Sequence, residues 1–319
     1  MTPWVYVLAP VHNRRATTEK FIRCLLAQTY VNWHLLLIDD GSKDGTEAMA
    51  RSLVRDTSLT VLRGNGNWWW AGSLHRGFKW LKWNARPNDI VLTMNDDTEF
   101  DPTFLANGLR ALKPKSLMLA QLYNMNGEFV EAGVRWDWST LLGEGVGDGS
   151  QVNCFATRGL FMRVGDFLEL GGFHPVLLPH YLSDYEFSMR ARRQGLAMMS
   201  SRNVFLRYDD SEHLTGIRST EGHATLKSLR LNLSIRSTSN PIYWTSFVLL
   251  ASPARYIPAN VFRVWWRYLG PVRDDVREFF APVQRALAPF KQFFGRVKRK
   301  VKREWAARGG QPAIKGHDD

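Results

Sequence analysis

Over its first hundred residues the chain alternates short, wholly apolar runs with segments of helical spacing. The runs 4–9, 34–38, 59–62 and 90–94 carry no polar alternation. A strand without a polar face is buried on both sides, which requires a parallel sheet covered by helices on each face. Segments 16–28, 46–55 and 71–83 supply those helices. In the first of them Phe21, Leu25 and Gln28 fall on related faces, and Thr17 or Thr18 is expected to cap it. Asp44 is placed to cap the second. The resulting βαβαβαβ order predicts an α/β fold with a Rossmann-like sheet.

In such sheets ligands bind at the carboxyl ends of the strands. Three of these ends carry polar clusters: Pro10-Val11-His12-Asn13, Asp39-Asp40-Gly41-Ser42 and Asn95-Asp96-Asp97-Thr98. Each alone reads equally as a turn, because Asn, Asp, Ser and Gly favour turns. Adjacent carboxylates after a buried strand are costly, however, unless they are paired or bind a metal. Hard divalent cations take oxygen ligands and keep phosphates beside them. The three ends together therefore point to a site for a metal-bound diphosphate.

Composition narrows the classes. With 319 residues, 45% of them hydrophobic, the chain has material for one large core plus an appendage. Two cysteines, Cys24 and Cys154, exclude a disulfide framework and fit a reducing compartment. The opening residues lack the basic start of a signal peptide, and no apolar run reaches the ~18 residues of a membrane span. The net charge of +12 is uneven, with Arg and Lys crowded among aromatics between 255 and 315. That mixture suits either nucleic acid or an anionic membrane surface.

The ordered motifs resemble family 2 glycosyltransferases of GT-A fold over roughly residues 3–215. They are Ala9-Pro10-Val11-His12-Asn13, Gln28-Thr29-Tyr30, Leu37-Ile38-Asp39-Asp40-Gly41-Ser42, Asn65-Gly66-Asn67 with Ala71-Gly72, Asn95-Asp96-Asp97, Gly171-Gly172-Phe173, and Ser183-Asp184-Tyr185-Glu186. The tryptophan-rich loop and His213 look most like rhamnosyltransferase-type members. The resemblance implies a nucleotide-binding role for Pro10, Asn13, Asp40, Asn67, Asn95 and Asp96, with Asp40 on the nucleobase. It implies that Asp97 and His213 hold a divalent Mn²⁺ or Mg²⁺, and that Asp184 is the catalytic base. The chain departs from the family pattern in having Asn95 for an Asp, Ser183 for a Glu, and His75 where many members have Asn.

Further readings complete the expectation. Trp68, Trp69 and Trp70 cannot all face one way on a regular element, so stacking on a sugar or acceptor is expected of at least one. His180 is a candidate acceptor contact. Segment 116–173 reads as irregular mixed-sheet material forming an acceptor-side wall, and Ser183 with Glu186 reads as a capping box. The expected organisation is a GT-A catalytic domain at 1–238, a basic-aromatic helical extension at 239–308 docking on an anionic membrane, and a disordered tail at 309–319.

The function implied is an inverting, metal-dependent glycosyltransferase. It would use dTDP-rhamnose or a UDP-sugar on a glycan or lipid-linked acceptor, at the cytoplasmic face of the cell membrane. Two alternatives compete. A sugar-nucleotide nucleotidyltransferase needs a Gly-rich basic phosphate loop after the first strand, which 9–13 is not. A non-catalytic module on membrane or nucleic acid gives no reason for acidic clusters at the strand ends, and nucleic acid is not expected as a partner.

Overall fold

The computed structural model describes residues 2–147, 152–208 and 231–270. Parallel strands β1 (Val5–Val11), β2 (Trp33–Asp39), β3 (Leu59–Arg63) and β4 (Ile90–Thr93) alternate with α1 (Arg15–Leu26), α2 (Thr46–Leu53) and α3 (Trp69–Asn84). The chain continues through β5 (Thr98–Glu99), α4 (Phe104–Ala111), β6 (Ser116–Asn124) and β7 (Phe129–Glu131). Next come β8 (Val134–Asp137), β9 (Leu142–Gly145), β10 (Leu160–Arg163), α5 (Val164–Leu170), α6 (Ser183–Arg193) and β11 (Ala197–Tyr208). Two helices, α7 (Pro241–Ala251) and α8 (Ile257–Tyr268), follow.

The main sheet has strand order β3-β2-β1-β4-β10-β6-β11-β5, with β7 beside β6. Strand β10 runs antiparallel between β4 and β6. Strands β8 and β9 form a separate hairpin. The expected mixed wall over 116–173 is thus built of β6–β10 and α5.

Residue parity explains the unpatterned strands. In β1, Val5, Val7, Ala9 and Val11 join Phe21, Ile22, Met49, Ala50 and Phe104 in one cluster. Tyr6 and Leu8 face the opposite cluster, with Ala71, Leu74, Phe167 and Phe187. Both parities are buried, so neither can be polar. A third cluster joins Val134, Trp136 and Cys154 to Met189 of α6 and to Phe247, Val248 and Val264 of α7 and α8. Trp136 lies 5.1 Å from Phe247 and 5.5 Å from Tyr185, centroid to centroid. Helix α7 is apolar all round, with Ile242 and Leu249 exposed and Phe247 fully buried.

Three capping expectations resolve differently. Neither Thr17 nor Thr18 caps α1, which begins after Arg14 without a side-chain cap. Thr18 is buried and donates to Asp96 instead, 2.8 Å away. The Ser183–Glu186 capping box does not form: Leu182, at φ +66°, precedes the helix, and Ser183 Oγ donates to the His180 carbonyl. Glu186 is buried and pairs with Arg190 at 2.8 Å, which is the stronger claim on a carboxylate inside the fold. Asp44 does serve the N-terminus of α2, accepting from Thr46 N–H and also from Arg15 N–H.

Candidate active site

The polar strand ends meet along one edge of the sheet. Register pairs Val11 with Asp39 and Leu8 with Thr93, so the segments after β1, β2 and β4 lie side by side. Strand β10 is antiparallel to β4, with Leu160 opposite Thr93. Its start therefore falls at the same edge, bringing Thr157 to the site; Thr93 Oγ1 donates to the Thr157 carbonyl at 2.7 Å.

Asp40 organises one side. Its Oδ1 accepts from Gly66 N–H at 2.8 Å, and its Oδ2 from Trp68 and Trp69 N–H at 2.8 and 3.1 Å. The close approach explains Gly64: a Cβ there would sit 2.4 Å from Asp40 Oδ1. The facing turn needs Gly41, at φ +81° against the Gly66 backbone. The Asp40 carbonyl can only accept, so His12 Nδ1 carries a proton and donates to it at 2.8 Å. Asn13, at φ +52°, stitches the neighbouring loops: its N–H donates to Ser42 Oγ and its Oδ1 accepts from Lys43 N–H. Pro10 is half-buried beside Ile38, and Asn67 is exposed.

The acidic turn after β4 forms the centre. The Asp96 and Asp97 side chains are nearly buried, and Arg14 lies 3.4 and 3.3 Å from them. Burial pushes the Asp96 carboxyl up to about 6, against the opposing pull of Arg14 and Thr18. Asn95 Oδ1 is buried without a hydrogen-bond partner. Three consecutive oxygen-bearing side chains, one with an unsatisfied buried oxygen, fit a hard cation such as Mg²⁺ or Mn²⁺. Among the described residues no group of three or more His, Cys, Asp or Glu converges as a metal cage. His213 lies outside the described residues.

The opposite wall carries Asp184, at the start of α6. Burial raises the pKa of its carboxyl; the Ser183 and Thr157 hydroxyls lie 3.2 and 3.4 Å from it. Trp70 Nε1 donates to Thr157 Oγ1 at 3.2 Å. A path of hydrogen bonds and adjacent residues thus runs from Asp40 through Trp68–Trp70 and Thr157 to Asp184. The three tryptophans are half-buried and divide as parity requires. Trp68 and Trp70 pack on the core. Trp69, at φ +55°, lies 5.7 Å from the His180 ring and has Arg236 over its own ring at 5.7 Å. His180 is half-buried, and its desolvation lowers its pKa to about 4 and leaves it neutral at pH 7.

Sequence reasoning missed Arg14, Thr18, Thr157 and Arg236. Thr157 carries no local signal, because its place depends on β10 running antiparallel. Thr18 reads in the sequence only as a candidate helix cap, since its partner is 78 positions away.

The family model for glycosyl transferase family 2 matches residues 6–163. An 81-residue stretch is 35% identical to the uncharacterized glycosyltransferase RP339 of Rickettsia prowazekii (strain Madrid E), covering 25% of this chain and 24% of that protein. The chain thus spans about a quarter of the length of this curated relative. The fold is similar to that of the mannosyltransferase PcManGT from Pyrobaculum calidifontis in complex with GDP-Man and Mn²⁺. That likeness has a TM-score of 0.55 and 14% identity, over 96% of this chain and 84% of the other. It is also similar to S. aureus TarS 1–349 in complex with UDP-GlcNAc, with a TM-score of 0.53 and 13% identity, over 84% and 73% of the two chains. Four parallel strands with polar ends, an antiparallel strand beside them and the match over 6–163 agree: the chain belongs to the family 2 glycosyltransferases, with a GT-A fold.

Proposed function

We propose that this chain moves a sugar from a nucleotide-diphosphate donor to an acceptor hydroxyl, with inversion at the anomeric carbon. The observation that carries this reading is the arrangement of Asp184 and the Asn95–Asp97 turn, both tied to the Thr93–Thr157 junction at one sheet edge. Asp184 takes the proton of the acceptor hydroxyl, whose oxygen then bonds to the anomeric carbon as the bond to the diphosphate breaks. Asp97, with Asn95 and Asp96 beside it, would hold a divalent cation, which when bound neutralises the charge growing on the leaving diphosphate. Arg14 adds a fixed positive charge at the same place. The Asp40-bound loop forms the nucleotide side, with Pro10, Asn13 and Asn67 along its border. Trp69 and His180 offer aromatic rings to a sugar, with the Arg236 guanidinium over the Trp69 ring.

Nucleotide sugars and Mn²⁺ in the structural neighbours support the donor class and the metal. For the donor, dTDP-rhamnose is the first choice, on the motif likeness, and UDP-sugars the second. The acceptor is a cell-surface glycan or lipid-linked saccharide, reached from the cytoplasmic side of an anionic membrane. Exposed Phe262, Trp265, Trp266 and Leu269 on α8, with Arg263 and Arg267 on its other flank, support the membrane contact.

The test is donor turnover. Purified full-length protein with Mn²⁺ and a panel of nucleotide sugars is expected to release nucleoside diphosphate from one of them. Asp97→Ala is expected to abolish that release. No release from any donor would sink the transferase reading.

A further inference from the structure

A buried carboxylate that must accept a proton needs donors whose own protons are committed to it. Asp184 has two hydroxyl neighbours, and they are not equivalent. Ser183 Oγ lies 2.7 Å from the His180 carbonyl and 3.2 Å from Asp184 Oδ1. A hydroxyl has one proton, and the carbonyl can only accept, so the shorter contact claims it. Thr157 Oγ1 stands differently. It receives the Trp70 indole N–H at 3.2 Å, and indole only donates. The threonine proton is thereby turned away from Trp70 and toward Asp184 Oδ2, 3.4 Å off. The Thr157 backbone also favours the charged form of that carboxylate. Thr157 is fully buried, so water does not compete for these groups.

We propose that Thr157, oriented by Trp70, is the positioning residue of the base: it aims and holds the Asp184 carboxylate for proton transfer. This rests on the reading of Asp184 as the base. Cys154 and Tyr185 face Asp184, and burial raises the pKa of both groups, keeping them neutral. Glu131 acts on both, and Arg158, which lies over Tyr208, opposes it at Tyr185. His180 is neutral. Trp70 also sits in the first turn of α3, which follows the Asp40-bound loop, so the nucleotide side and the base share one strut.

The test is a carboxyl ¹³C titration of aspartate-labelled, full-length protein, with the Asp184 resonance identified by its loss in Asp184→Asn. Thr157→Val is expected to raise its midpoint by about one to two pH units, the size of a hydrogen bond to a charged group. Thr157→Ser is expected to restore the midpoint. Trp70→Phe is expected to raise it by less than Thr157→Val does, and carries the test if the valine variant misfolds. Ser183→Ala is expected to leave it in place. A midpoint unmoved in both Thr157→Val and Trp70→Phe, or moved equally by Ser183→Ala, would overturn the proposal. With the active donor, the acid limb of kcat should shift by the same amount while the donor KM stays constant. The titration needs no substrate, so its outcome is independent of the donor panel and the two failures are told apart.

Discussion

Both oxygens of Asp40 are committed to the backbone of Gly66, Trp68 and Trp69, so its charge is built into the loop. An amide in its place offers one acceptor and turns an NH₂ group toward those N–H donors. Asp40→Asn is therefore expected to cost about 2 kcal/mol in urea unfolding and to speed amide exchange at 66–69. An unchanged unfolding midpoint would confine Asp40 to ligand contact. Asp184 gives the opposite sign. Burial raises its folded pKa above the unfolded value of about 3.9, so the ionised form weighs against the fold. That penalty is absent below the unfolded pKa and grows as pH rises through the folded one. Asp184→Asn should abolish transfer yet melt higher than the wild type at pH 8, with the gap closing near pH 4. A lower melting temperature at pH 8 would contradict the assignment of burial as the dominant cause. Both aspartates were legible as strand-end or motif residues. What they touch was not, because Asp40 binds backbone 26 to 29 positions away and Thr157 lies 27 from Asp184.

At the level of elements, the parallel half of the sheet was readable because burial on both faces leaves its mark on every residue. Strands β1–β4 and helices α1–α3 fall within a few residues of their expected bounds. The second half was only a region of short strands, since an antiparallel insertion such as β10 is chosen by tertiary pairing and has no period of its own. The caps failed for a related reason. Thr18 and Glu186 had partners across the fold, Asp96 and Arg190, that outweighed the local motif. Helix α3 couples packing to the site. A Cβ at Gly77 would lie 2.6 Å from Leu8 Cδ2 and 3.2 Å from Ile38 Cδ1, inside a closed core. Gly77→Ala is thus expected to destabilise by about 1–3 kcal/mol in chemical denaturation, despite the better helix propensity of alanine. A stabilised protein would mean that α3 is free to lift from β1 and β2.

Across the whole chain, positive charge is concentrated late. Among the described residues no helix is long and apolar enough to cross a membrane. The outer flank of α8 nevertheless shows Phe262 at 66% and Trp266 at 51% exposure, stacked 5.5 Å apart. Full-length protein is expected to co-sediment with vesicles containing anionic lipid, less so with neutral ones and less at high salt. Phe262→Ser with Trp266→Ser should weaken that binding several-fold while leaving donor turnover in solution intact. Equal binding by the double variant would move the contact elsewhere. The composition announced this bias, but not which aromatics are outside, because Val264 and Asn260 take the buried stripe.

The aromatic seam between Trp136 and Phe247 has a consequence for inheritance. Trp136 backs Tyr185, the residue after Asp184, and rests on α7, more than a hundred positions further along the chain. The segment after residue 240 is consequently no removable accessory that recombination can trade between relatives. A hybrid joining this catalytic half to a foreign C-terminal half must receive the β8–β9 hairpin from the same parent as α7. A crossover placed between them leaves Trp136 and Phe247 without their matching surfaces. Natural or laboratory chimeras that remain folded should therefore keep the two segments together.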